Sequence, residues 1–187
     1  YKYLNGGPGA PAYLFVAERW QAALGNPLSG WMGHAAPFAF TDDYVAATGM
    51  KRWLTGTPPV LGLGALEAAL RLWEGVDMAM VEQKSAALFD ILRAAGDRAG
   101  LECVTPCDSA ARGSHISFRH DNAYAITQAL IARGVIGDFR DPDVLRLGLT
   151  PLTLSHVDVW NAARLLEAVI ASGEWERPEF AVRAAVT

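Results

Sequence analysis

The chain has 187 residues, 51% of them hydrophobic and 19% charged, with a formal net charge of -4. This balance fits one soluble globular domain, or one domain plus part of another, and offers no basic surface for a nucleic-acid partner. No apolar run reaches the roughly 18 residues of a membrane span, and no signal peptide is visible.

Residues 1–60 are rich in glycine, proline and aromatics. The first nine residues, Tyr-Lys-Tyr-Leu-Asn-Gly-Gly-Pro-Gly, read as the interior of a protein and lack an initiator Met. A fragment without its upstream half is the expectation. Gly6-Gly7-Pro8-Gly9 predicts a turn, because glycine reaches backbone angles that other residues avoid. Ala10 to Ala17 holds Tyr13, Phe15 and other apolar residues in an extended run and predicts a strand. Residues 25–60, with Asn26-Pro27, Ser29-Gly30, Pro37 and Pro58-Pro59, predict mostly loop, and a long loop in a compact domain is usually functional. These first 60 residues do not look self-contained and need a larger body to fold against.

From Val60 the pattern changes. Leu63 to Trp73 predicts a helix stopped by Gly75. Asp77 to Ala95 predicts a longer one, with Val81, Ser85, Leu88, Leu92 and Ala95 on one face at helical spacing. Leu101–Val104 and Ser114–Arg119 predict strands, Ala123–Arg133 a helix closed by Gly134, and Val135–Phe139 and Val144–Leu149 two further strands. Ser155 with Asp158 three residues later has the form of a capping box. The final helix that follows is expected to bury Val159, Ala162, Leu166, Val169 and Ile170 and to end at Gly173. Residues 77–173 therefore form an α+β layer.

Few residues can supply a nucleophilic amine: Lys2, Lys51 and Lys84 stand against thirteen arginines. Lys2 lies between two tyrosines just before the glycine turn. A lysine amine must lose its proton to attack a carbonyl, and burial or nearby cations promote that loss. The alternative is a solvated lysine near a chain end. Tyr1 can donate a phenolic hydrogen bond to a phosphate or simply fill space. Trp31, in Gly30-Trp31-Met32-Gly33-His34, offers an indole donor or core packing. Thr57, in Thr55-Gly56-Thr57-Pro58-Pro59, precedes a helix start, which suits either phosphate binding or an ordinary cap. Arg146 is the lone charge in an apolar strand and needs a partner. Its guanidinium fork matches a carboxylate, either a substrate's or an internal Asp or Glu. His115, His120 and His156 read as structural or surface residues. Cys103 and Cys107 lack the further ligands of a zinc site, so two free thiols and no metal are expected. The scattered acidic residues give no carboxylate pair of the glycosidase kind.

The order of these segments carries more than any one of them. Tyr1-Lys2-Tyr3-Leu4-Asn5-Gly6-Gly7-Pro8-Gly9, then Gly30-Trp31-Met32-Gly33-His34, then Gly56-Thr57-Pro58-Pro59, then Leu145-Arg146-Leu147-Gly148-Leu149-Thr150-Pro151-Leu152 resemble the kynureninases in the same order, to about Gly173. The later segments also resemble the wider class V aminotransferases and cysteine desulfurases. The resemblance implies an α/β fold, the C-terminal part of a fold-type I pyridoxal-phosphate enzyme. Residues 1–76 would be the end of the large domain with the cofactor lysine and a dimer-interface loop, and residues 77–187 a small α+β C-terminal domain.

The same resemblance implies roles. Lys2 would bond to pyridoxal phosphate and act as general base and acid. Tyr1 would hydrogen-bond the cofactor phosphate, with Trp31 and Thr57 lining its pocket, in dimers often that of the neighbouring subunit. Arg146 would hold the substrate α-carboxylate. His34 carries no transferred role. Some family members, animal ones included, have Asn where Thr57 stands, a position that bears on the choice between kynurenine and its 3-hydroxy form. The implied reaction is hydrolysis of L-kynurenine to anthranilate and L-alanine in tryptophan degradation, by a cytoplasmic homodimer. The family places its phosphate loop, ring-stacking aromatic and pyridine-facing aspartate before the lysine, so activity is expected to need the N-terminal half. Two other readings stand beside this one. One is another fold-type I enzyme such as an aminotransferase or a cysteine desulfurase, although neither Cys103 nor Cys107, flanking Pro106, suits the mobile catalytic cysteine of a desulfurase. The other is a non-catalytic fragment of the fold, against which the joint presence of Lys2, Trp31, Thr57 and Arg146 argues.

Overall fold

The computed structural model describes residues 1–183. The chain divides into two compact units, the first ending at Gly75 and the second beginning at Val76. The domain division expected from the sequence runs to residue 187, and residues 184–187 lie outside those described.

The first unit contains a one-turn helix α1 (Glu18–Gln21), 3-10 turns at Trp31–Gly33 and Gly49–Trp53, and helix α2 (Val60–Arg71). The long loop is organised by backbone hydrogen bonds rather than by a sheet. Ala35 N donates to Val45 O at 2.7 Å and Ala47 N to Gly33 O at 2.9 Å, around an isolated antiparallel bridge between His34 and Ala46. Arg52 Nη1 donates to Gln21 O at 3.0 Å and ties the second 3-10 turn to α1. The strand expected at Ala10–Ala17 does not form. Its apolar side chains suit a sheet, but Pro11 has no N–H to donate and no neighbouring strand of the described residues completes a ladder. Tyr13 and Phe15 stand 79% and 83% exposed instead. Helix α2 starts three residues before the expected Leu63, directly after Pro58-Pro59.

The second unit is a four-stranded antiparallel sheet with helices packed on it. Its strands are β1 (Glu102–Cys103), β2 (His115–Arg119), β3 (Asp138–Arg140) and β4 (Val144–Gly148), in the order β1-β2-β4-β3. Helices α3 (Met78–Arg98), α4 (Ala123–Ala132) and α5 (His156–Ser172) surround the core, and a short α6 (Pro178–Ala181) follows. Successive strand residues point to opposite faces. Ile116 and Phe118 of β2 lie opposite Leu147 and Leu145 of β4, and all four are buried in the core. Leu88, Leu92 and Ala95 of α3 and Leu166 and Val169 of α5 close it from the helix side. Each fully buried Leu or Phe of this kind contributes about 1.5–3 kcal/mol.

The ends of these helices follow from their sequences. Asp77 is the cap of α3 rather than its first residue, accepting from Ala79 N at 2.8 Å. Ser155 and Asp158 form the expected capping box on α5, and Gly173 ends it in the left-handed conformation. In α5 the buried alanine is Ala163, while Ala162 is half-buried. The strand expected at Val135–Phe139 is observed later, at Asp138–Arg140. That shift sets the residue facing Arg146.

Candidate functional site

In the first unit, the N-terminal segment is a compact turn. Asn5 N donates to Lys2 O and Gly7 N to Tyr1 O, both at 3.1 Å. Asn5 adopts a positive φ of 58°, a conformation Asn tolerates better than most residues. The turn rests on α2 through a close backbone approach: a Cβ built on Gly62 would lie 2.9 Å from Gly9 O. Only a residue without a Cβ fits there. Lys2 and Tyr1 are exposed, and Lys2 Nζ lies 5.4 Å from the centre of the Tyr1 ring. Among the described residues no carboxylate pairs with that amine, so its one visible neighbour is an aromatic face.

Trp31 and Thr57 stand on two segments joined back to back. Met32 N donates to Thr55 O at 3.0 Å. A Cβ on Gly30 would lie 2.4 Å from the same oxygen, so the approach requires glycine at position 30. Trp31 packs edge-on against Phe38, with ring centres 5.7 Å apart, at the wall of a recess of about 580 Å³ shared with His34, Phe40 and Tyr44. Thr57 is exposed and does not cap α2. The cap position falls on Pro59 and makes no side-chain hydrogen bond. The first-turn N–H groups of α2 therefore keep their positive end of the helix dipole uncovered by any side chain. His34 is held by its own loop: Nδ1 accepts from Ala36 N at 2.9 Å and Nε2 faces Asp43 O at 3.2 Å.

Arg146 belongs to the second unit. It lies on β4 between the core residues Leu145 and Leu147, and so on the opposite face of the sheet. Of the two partners left open by the sequence, the structure supplies an internal one. Asp138, directly across the β3–β4 pair, accepts from Nε at 2.9 Å and from Nη2 at 2.7 Å. These hydrogen bonds raise the Arg146 pKa above its ordinary value, ahead of a smaller opposing effect of burial. The arginine therefore stays charged. Asp138 was not legible as a site residue from composition. The signal was a pair of opposite charges eight residues apart in two strands of a hairpin.

The remaining candidates have structural settings. His120 Nδ1 accepts from Asn122 N at 3.0 Å, and its ring meets Trp175 edge-on. Cys103 and Cys107 are free thiols, and Cys107 Sγ accepts from Arg93 Nη1 at 3.0 Å. No group of three or more His, Cys, Asp or Glu among the described residues could hold a metal ion. No helix among them is long and apolar enough to cross a membrane.

Residues 81–166 match the family model described as the kynureninase C-terminal domain. Over its full length the chain is 47% identical to kynureninases of Burkholderia mallei and Burkholderia pseudomallei, and 42% identical to that of Pseudomonas fluorescens. It spans 46% of the length of each of these relatives. Among solved structures it is similar to the apo cysteine desulfurase of Thermococcus onnurineus, with a TM-score of 0.73 at 15% identity over 84% of this chain and 42% of that one. It is also similar to a C-DES variant with glycine covalently linked to its pyridoxal-phosphate cofactor, with a TM-score of 0.61 at 20% identity over 81% and 40%. At these identities the two structures speak for the fold.

Proposed function

We propose that this chain is a C-terminal part of a kynureninase, and that it supplies the cofactor lysine and the substrate-carboxylate anchor for hydrolysis of L-kynurenine to anthranilate and L-alanine. The observation that carries this reading is the 42–47% identity along the whole chain, Lys2 segment included. The residues present fit pyridoxal phosphate: an amine with no carboxylate partner among the described residues, a neighbouring phenol, and a helix start that no side chain caps. When bound, the cofactor supplies an electron sink for cleavage of the carbon–carbon bond.

The chain's own residues then have definite work. Lys2 Nζ would hold the cofactor and, when free, would take and return protons at that nitrogen. Tyr1 donates its phenolic hydrogen to the phosphate. Thr57 and the first N–H groups of α2 face an anion favourably, because both the free donors and the helix dipole favour negative charge. Trp31 contributes an apolar wall and its indole N–H. Arg146 binds the α-carboxylate with two parallel hydrogen bonds. Thr57 bears on the choice between kynurenine and 3-hydroxykynurenine. The assembly we propose is a homodimer, working in the cytoplasm, whose site is completed by the N-terminal half of the enzyme.

Borohydride reduction of the cofactor-loaded full-length protein, followed by peptide mapping, tests the reading. The label is expected on Lys2, together with release of anthranilate from L-kynurenine before reduction. A label on Lys51 or Lys84 sinks the lysine assignment, and failure to form anthranilate sinks the reaction.

A further inference from the structure

We propose that Asp138 is a positioning residue for Arg146, holding its guanidinium so that one edge stays open to an incoming carboxylate. The inference rests on the reading of Arg146 as the group that takes the substrate carboxylate. A guanidinium offers a carboxylate two forked edges, the side edge of Nε with Nη2 and the end edge of Nη1 with Nη2. Asp138 occupies the side edge: Nε donates to Oδ1 at 2.9 Å and to Oδ2 at 3.2 Å, and Nη2 donates to Oδ2 at 2.7 Å. Among the described residues no acceptor engages Nη1. The end edge therefore keeps both Nη1 hydrogens and the second hydrogen of Nη2 for a ligand.

Strand register makes this arrangement. Asp138 and Arg146 are directly opposed across β3 and β4, so their side chains leave the same face of the sheet. On the β2 side Arg146 is paired with Ser117, which is buried and adds no charge beside the guanidinium. Electrostatics does not oppose the arrival of an anion. Arg140 Nε lies 3.6 Å from Asp138 Oδ1, so two guanidiniums share one carboxylate and the trio keeps one formal positive charge. A side chain fixed in advance loses less freedom on binding than one that must be ordered by the ligand.

The opposite role for Asp138 is that of a competitor that the substrate must displace. The two roles predict opposite signs. In the full-length enzyme, Asp138→Ala is expected to raise KM for substrate roughly 3- to 10-fold, by the loss of one pre-ordered side chain, with kcat changed less than about twofold on the same ground. Asp138→Asn, which keeps one acceptor oxygen and the side-chain shape, falls between and guards against a folding defect in the alanine variant. Inhibition by L-alanine weakens in step, while inhibition by ethylamine, which lacks the carboxylate, is unchanged. A purely structural role would move both inhibitors together. An unchanged or lowered KM in both Asp138 variants, with KM raised in Arg146→Ala, overturns the proposal and leaves the Arg146 reading intact. An unchanged KM in Arg146→Ala overturns the Arg146 reading, and the proposal with it.

Discussion

Gly96 and Phe118 meet so closely that a Cβ built on the glycine lies 2.1 Å from Phe118 Cε1 and 2.6 Å from its Cζ. The ring of β2 thus lies directly on the backbone of α3, and both residues are buried. Gly96→Ala gains helix propensity but forces the ring to move in a close-packed core. Overpacking of this kind costs about 1–3 kcal/mol, more than the gain of roughly 0.8–1 kcal/mol from replacing a helical glycine. Denaturant unfolding of the full-length protein is expected to show net destabilisation of the second unit, and an unchanged midpoint would show that the ring has room to shift.

The capping box gives a pH-dependent expectation. The Asp158 carboxyl is held below its ordinary value, first by the Ser155 hydroxyl and then by the Ser155 N–H. A depressed folded-state pKa contributes stability above the unfolded value, and that contribution is lost as pH falls through the folded one. The thermal midpoint of Asp158→Ala is therefore expected to lie below that of the unaltered protein at neutral pH, with the gap closing on acidification past the normal carboxylate range. Ser155→Ala is expected to cost about 1 kcal/mol at neutral pH, read by the same melts.

Lys2→Arg keeps the positive charge and removes the amine proposed to bond to the cofactor. Turnover in the full-length enzyme is expected to fall by at least about 10²–10⁴, the usual worth of a positioned acid–base group. Reduction with borohydride should then leave no covalent cofactor on the peptide of residues 1–18. Turnover that survives this change would move the chemistry to another amine.

Gly30→Ala tests whether the segments of Trp31 and Thr57 act as one piece. The new Cβ meets the Thr55 backbone, 2.4 Å from its oxygen and 2.9 Å from its Cα. Backbone does not yield as a flexible side chain does, so the Met32 N to Thr55 O hydrogen bond is expected to break, at a total cost of about 1–3 kcal/mol. If both segments hold pyridoxal phosphate, dialysis will strip the cofactor faster from this variant, followed by its visible absorbance. Equal retention would separate the loop from cofactor binding.

The second unit was legible wherever periodicity met clear punctuation. Leu88, Leu92 and Ala95 lie in the core at the spacing their sequence shows, and Ser155, Asp158 and Gly173 end α5 as their side chains dictate. The Ala10–Ala17 segment misled because strand propensity is a property of side chains, whereas a strand also needs a partner ladder. Arg146 announced itself as a charge among apolar neighbours. Its partner did not, because strand register fixes Asp138 opposite it, and register is set by the turn at residues 141–143 rather than by any local motif. In the first unit the candidate segments were singled out by resemblance. The hydrogen bond that joins two of them runs between backbone atoms, which leave no mark on residue type.

The β3–β4 hairpin places the arginine and its aspartate only eight residues apart in the chain. The pair is thus a short-range object that can take shape as soon as its hairpin closes. Its vulnerability is to length rather than to composition. Inserting or deleting a single residue at 141–143 would slip the pairing by one and turn Arg146 and Asp138 to opposite faces, without changing either side chain. Natural or designed variants of this hairpin should therefore tolerate many exchanges of residue in the turn and very few changes in its count.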